Sequence, residues 1–147
     1  MVKYVYNNKN KHIEKKGYTP YNEGRIGLSK FEIEFYHKEN GTCPFVDFLN
    51  SLDLKMRARV LRMLMLLEQN GNELREPYSK MLDDGIFELR VKQGSNISRT
   101  LYFFLVGHRI VVTNGFIKKT EKTPVREINL AKKYRADYVL RKEFQHE

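Results

Sequence analysis

The sequence predicts a small α+β domain, with a helical hairpin and a C-terminal helix packed on a small antiparallel sheet. Three observations predict it. Residues 31–36 alternate between apolar and polar side chains, residues 44–71 carry two stretches of helical period, and residues 86–115 carry three strand-like runs parted by short turns. With 147 residues, 41% of them hydrophobic and 12% aromatic, the chain has the length for one domain and the material for a single core.

The elements follow in order. Met1 to about Lys30 mixes Asn, Lys, Tyr and Gly around Pro20 without a sustained period, and reads as a polar basic extension, expected to be mobile. Within it Val2, Tyr4 and Tyr6 hint at a short strand. Residues 31–147 form the domain. Phe31, Ile33 and Phe35 face one way and Glu32, Glu34 and Tyr36 the other, which is the period of a half-buried strand. After Asn40 and Gly41, Pro44 stands where a helix can begin, and Phe45, Phe48, Leu49 and Leu52 give it an apolar side. Asp53 can cap a second helix, on which Met56, Val60, Leu61, Leu64 and Leu67 form a broad stripe that ends at Asn70 and Gly71. Met63, Met65 and Leu66 widen this apolar surface, so the helix is either deeply buried or also a binding face.

The runs Ile86–Lys92, Ser98–Val106 and Arg109–Gly115 are separated by Gly94-Ser95-Asn96 and by Gly107-His108, which implies an antiparallel meander. Thr123 and Pro124 suit the cap and first turn of a last helix, along which Ile128, Ala131, Tyr134 and Tyr138 keep a helical period. With all helices on one face, the other face of the sheet would be free to hold a site.

Composition narrows the function. The net charge of +9 points to phosphate backbones or acidic proteins as partners. Residues 1–30 hold seven Lys and Arg against two Glu, a surplus of five, which leaves four positive charges for the domain. Cys43 is the one cysteine, so an intramolecular disulfide and a thiolate-rich zinc site are excluded and a reducing cytoplasm is expected. No signal peptide or membrane span is expected, because the most apolar stretch, Val60–Leu67, is short and lies beside Arg59 and Arg62. A Gly-rich phosphate loop, paired His at metal spacing and a Gly-x-Ser-x-Gly turn are all missing, so no metal and no cofactor is expected.

What remains is a set of basic side chains around the strands. Arg90 and Lys92 lie on one strand and Arg99 on the next, with Lys118, Lys119 and Lys122 after the last. In a meander the middle strand pairs with both neighbours, so Arg90 and Arg99 can meet and form a phosphate-sized pocket. Alternation puts Glu88, Arg90 and Lys92 on the face opposite Phe87, Leu89 and Val91, towards solvent or a ligand. Arg99 shares its parity with Leu101, Phe103 and Leu105, and only its place at the start of the strand lets it reach out of the core. Cations in such places are also commonly just solvated, and composition alone leaves that alternative standing.

The stretches PFVDFLNSL (44–52), ELREPYSKMLDDGIFELRVKQGSNISRTLYFF (73–104) and NGFIKKTEKTPVREINLAKKY (114–134) together resemble the RelE/ParE superfamily of toxins, within it the phage-derived HigB-like branch. The similarity spans roughly Phe31 to Arg141. It implies a RelE-like fold and a cytoplasmic toxin of a type II toxin-antitoxin system. Such a toxin is an endoribonuclease that enters the ribosomal A site, cuts the messenger there and so inhibits translation. It also implies a helix-turn-helix, HigA-like antitoxin as partner. Carried over by position, the resemblance makes Arg90, Arg99, Lys118 and Lys119 the catalytic set, with Lys92, Lys122 and Arg126 as further RNA contacts. RelE itself has a tyrosine near the chemistry in its last segment. Tyr102 and Tyr134 do not align with it and His108 stands in a predicted turn, so the proton donor is left open. Two other readings stay in view: a ParE-like inhibitor of DNA gyrase, and an inactive phage-derived binding module.

Overall fold

The computed structural model describes residues 2–7, 12–17, 31–106, 108–118 and 121–145. Two short strands, β1 (Val2–Asn7) and β2 (His12–Gly17), pair antiparallel with each other. β1 contains the Val2, Tyr4, Tyr6 alternation, whereas β2 has no alternation to announce it. The domain runs through β3 (Glu32–Phe35), α1 (Pro44–Ser51), α2 (Leu54–Asn70), β4 (Ser79–Asp83), β5 (Ile86–Gln93), β6 (Asn96–Leu105), β7 (Arg109–Lys118) and α3 (Val125–Gln145). Its five-stranded sheet has the order β3-β7-β6-β5-β4. This is the expected α+β class and is consistent with a RelE-like fold.

The sheet is mixed, not purely antiparallel, because β3 runs parallel to β7, with Ile33 opposite Ile110 and Phe35 opposite Val112. Everything between those strands forms one long crossover, which is what parallel pairing needs. The helices also do not share one face. α1 and α2 pack with Ile33, Phe35, Leu89, Val91, Tyr102, Ile110 and Val112, while α3 packs through Ala131, Tyr134 and Tyr138 on Ile86, Leu101, Phe103 and Val111. The physical reason lies in β6, where Leu101-Tyr102-Phe103-Phe104-Leu105 is apolar at both parities, so both faces of the sheet must be covered. β4 was not expected from the sequence. Its Met81 is 60% exposed at the sheet edge, so no apolar alternation marks it.

Local chemistry fixes the hairpin. The Asp53 side chain accepts from the Met56 N–H at 2.7 Å as the expected cap of α2. Arg57, 6% exposed, turns back to α1 and donates to the carbonyls of Leu49 (2.7 Å), Asn50 (3.0 Å) and Leu52 (2.8 Å). These carbonyls close the C-terminal end of α1, where Leu49 also accepts from the Leu52 N–H at 3.2 Å, and a cation there meets the negative end of the helix dipole. α2 ends at Gly71, whose φ is 53°, and an added Cβ would fall 2.0 Å from the Phe31 ring. Gly71→Ala is therefore expected to destabilise the fold by about 1–3 kcal/mol, seen as a lower urea midpoint at unchanged slope.

Around α3 the tyrosines act as buried hydrogen-bond donors. The Tyr36 hydroxyl donates to Asp137 at 2.5 Å and that of Tyr138 to Glu34 at 2.6 Å. Burial first, and those carboxylates second, push both phenols up to about 12; burial alone does the same for Tyr102. Folded pKa values above the ordinary 10 mean that their stabilisation is full below pH 10 and is lost as pH rises towards about 12. An alkaline titration followed by tyrosinate absorbance and circular dichroism should show these three ionising late, together with unfolding. Their ionisation near pH 10 in the folded protein would contradict that burial.

Candidate functional site

The basic side chains meet at one end of the sheet, on the face that α3 covers only in part. β5 and β6 pair with Arg90 directly opposite Arg99, and β6 and β7 pair with Arg99 opposite Phe116. One step further along, Lys92, Ile97 and Lys118 lie in a row. Cross-strand partners share a face, so the expected meeting of Arg90 and Arg99 is present.

Their environments differ. The Arg99 side chain is 0% exposed, so its place at the start of the strand does not carry it out of the core as expected. It is retained there by charge. Its Nε lies 3.2 Å from Glu88 Oε1, and its Nη1 donates to the Thr123 hydroxyl at 3.2 Å. Thr123 in turn donates to Glu88 Oε2 at 2.9 Å, which closes a ring of three side chains. Burial draws the Arg99 guanidinium below its ordinary value, Glu88 beside it pushes the other way, and Arg90 adds to the lowering. Glu88, expected to face solvent or a ligand, is itself 2% exposed. It lies on the face that alternation predicts, but α3 and the segment before it cover that face at this point.

Arg90 reaches outward from the same carboxylate. Its Nε is 3.5 Å from Glu88 Oε1, and its Nη2 donates to Glu121 at 2.9 Å. The Arg90 side chain is 18% exposed and that of Glu121 75%. The Arg90 bond holds the Glu121 carboxyl below the usual carboxylate range, with the Lys92 charge adding to the effect. Glu88 thus acts as a buried anchor, with a wholly enclosed guanidinium on one side and a partly exposed one on the other.

The remaining expected residues separate by place. Lys92 and Lys118 are exposed at the strand ends, Lys122 is exposed in the turn before α3, and Arg126 is 83% exposed in the first turn of α3, 3.9 Å from Glu127. Lys119 lies outside the described residues. Thr123 does not cap α3 as expected: the helix starts at Val125, the Pro124 carbonyl accepts from the Ile128 N–H at 3.3 Å, and the Thr123 hydroxyl serves Glu88 and Arg99.

α3 is placed over this corner by a bulge in β7. The register steps from Leu101 opposite Asn114 to Tyr102 opposite Val112, which leaves Thr113 as the extra residue. Thr113 donates to the Leu101 carbonyl at 3.2 Å, and the Asn114 amide donates to the Glu127 carboxylate at 3.1 Å. Neither Tyr102 nor Tyr134 is near the corner: Tyr102 points into the α1 and α2 side, bonded to Ser79, and Tyr134 stacks on Tyr36. His108 stands at the opposite end of β7 against Phe31, roughly 30 Å away by strand rise.

Sequence reasoning missed Glu121 and the roles of Glu88 and Thr123. Glu88 had a signal, since it shares a face with Arg90 two residues on. The positions of Glu121 and Thr123 depend on how the turn folds back, which no periodicity encodes.

Among the described residues, no helix is long and apolar enough to cross a membrane. No curated protein matches the chain. The description "Phage derived protein Gp49-like (DUF891)" matches residues 47–136, more than half of the chain, from the middle of α1 into α3 and across every residue of the Glu88, Arg90, Arg99 and Thr123 cluster. The chain therefore belongs to the Gp49-like family of phage-derived proteins.

Proposed function

We propose that this protein is the toxin of a type II toxin-antitoxin pair and a metal-independent endoribonuclease that cuts messenger RNA on the ribosome. The observation that carries the reading is the cross-strand pair of Arg90 and Arg99, anchored on one buried carboxylate and bordered by Lys92 and Lys118. The toxin-like character of the Gp49-like family supports it.

In the reaction the ribose 2′-oxygen bonds to the neighbouring phosphorus and the bond from phosphorus to the 5′-oxygen breaks. The products are a 2′,3′-cyclic phosphate and a 5′-hydroxyl. The 2′-OH gives up its proton and the 5′-oxygen gains one, while extra negative charge grows on the phosphate oxygens. Arg90 is the partly exposed guanidinium of the two and can grip two of those oxygens. Lys118, with Lys119 next to it in sequence, adds charge from the neighbouring strand end, and Lys92, Lys122 and Arg126 follow the RNA backbone on either side. Arg99 works from behind: its charge, held in a dry setting, raises the potential at the corner and keeps Glu88 from neutralising Arg90 outright. No side chain is assigned to the proton transfers.

The test is induction of the protein in a bacterial host, with growth followed and messenger 5′ ends mapped inside reading frames. Growth arrest with new in-frame ends is the expected result. Arrest without cuts would replace this reading with gyrase inhibition, and no arrest would replace it with an inactive binding module.

A further inference from the structure

On the side of the sheet away from β6, β5 outlasts its neighbour. Ser79, where β4 begins, is paired with Leu89, and the Arg90 N–H still reaches the Tyr78 carbonyl at 2.9 Å. By alternation the backbone of Lys92 points the same way as that of Arg90. Its carbonyl accepts from Arg59 Nη1 of α2 at 2.9 Å. Between α2 and this end of β5 lies a groove of about 740 Å³. Half-buried Met63, Met65 and Leu66 of α2 and buried Val91 of β5 make its walls apolar, and Arg59 and Arg62 stand exposed along it.

We propose that this groove binds an acidic segment of a second protein, one that lays apolar side chains on the methionine wall. The charge of the groove selects the occupant. The groove's cations are Arg59 and Arg62 of α2; Arg90 and Lys92 border it from β5 with their side chains on the α3 face, and no Asp or Glu lines it among the described residues. The chain's own first 30 residues carry a surplus of five positive charges and a second copy carries +9, so both are disfavoured there. RNA would meet the arginines but gain little from two thioethers, a Leu and a Val. Peptide side chains gain from both, and Met adapts its shape to whatever enters. That this second protein is the antitoxin rests on the proposed function; the preference for an acidic, apolar-bearing segment does not.

The experiment measures fluorescence anisotropy on the full chain with three labelled probes. The first is a peptide of Glu and Leu with leucines at every third and fourth position, the second an all-glutamate peptide of equal charge, and the third a single-stranded RNA. The Glu and Leu peptide should bind tightest. Arg62→Glu, at an exposed position, should weaken it about tenfold, and Met65→Ser should weaken it while leaving the all-glutamate peptide unchanged. Circular dichroism confirms that both variants are folded. The inference is overturned if Arg62→Glu leaves the Glu and Leu peptide unaffected, if the all-glutamate peptide binds as well, or if RNA binds more tightly and Arg62→Glu weakens it. Because binding is read apart from growth, peptide binding without growth arrest would defeat the toxin reading and leave the docking site standing.

Discussion

Arg99→Ala is expected to cost the fold about 3–5 kcal/mol, because removing one member of a buried ion pair leaves the other charge uncompensated. Arg99 and Glu88 are exposed by 0% and 2%, so the carboxylate would keep only the Thr123 hydroxyl at 2.9 Å and the more distant Arg90 Nε at 3.5 Å. A loss of that size is a large part of the stability of an ordinary domain. Arg99→Ala would then abolish growth arrest by lowering the amount of folded protein, whatever its part in catalysis. Replacing both charges, as in Glu88→Leu with Arg99→Met, should recover most of the lost stability, since well-packed apolar residues can substitute for a buried pair at little cost. Urea unfolding of the two single variants and the double variant checks this. A double variant as unstable as the sum of the singles would show that the pair is not the unit that matters.

The same cluster explains what sequence reasoning could and could not reach. Element order apart from β2 and β4, the Asp53 cap, the Gly71 stop and the facing of Arg90 and Arg99 follow from periodicity and turn chemistry, which act within a few residues. The parallel pairing of β3 with β7 and the position of α3 depend on contacts between distant segments. They had one local sign, the double-sided apolar run of β6, whose Leu101 and Phe103 must be covered on the face that also holds Arg99. An arginine with the parity of core residues is a choice between a strand end that reaches solvent and a buried ion pair. Glu88, across the ladder and opposite Leu101, decides it in favour of burial. Thr123 shows the same limit: its sequence position suited a helix cap, and a carboxylate 35 residues away claimed its hydroxyl instead.

Because Arg99 is held inside, contact with the scissile phosphate falls to Arg90, and Arg90→Ala should lower messenger cleavage by about 10²–10³-fold, the usual loss when one donor to a developing oxyanion is removed. Stability should change little by comparison, because the side chain is partly solvated and its partner Glu121 is mostly in water. Binding of single-stranded RNA should weaken, with the dependence of log affinity on log salt shallower by about 0.7 for the lost phosphate contact. Arg90→Lys keeps the charge without the two-pronged grip, so it should restore the salt slope more fully than the cleavage rate. Glu121→Gln provides the opposite case. Glu121 occupies the outer nitrogen of Arg90 with a carboxylate, the group a phosphate would displace, and its removal should tighten RNA binding. If Arg90→Ala cleaves at the wild-type rate while Glu121→Gln leaves RNA affinity unchanged, this corner is not where the phosphate sits. The exposed lysines at the strand ends would then be the next place to look.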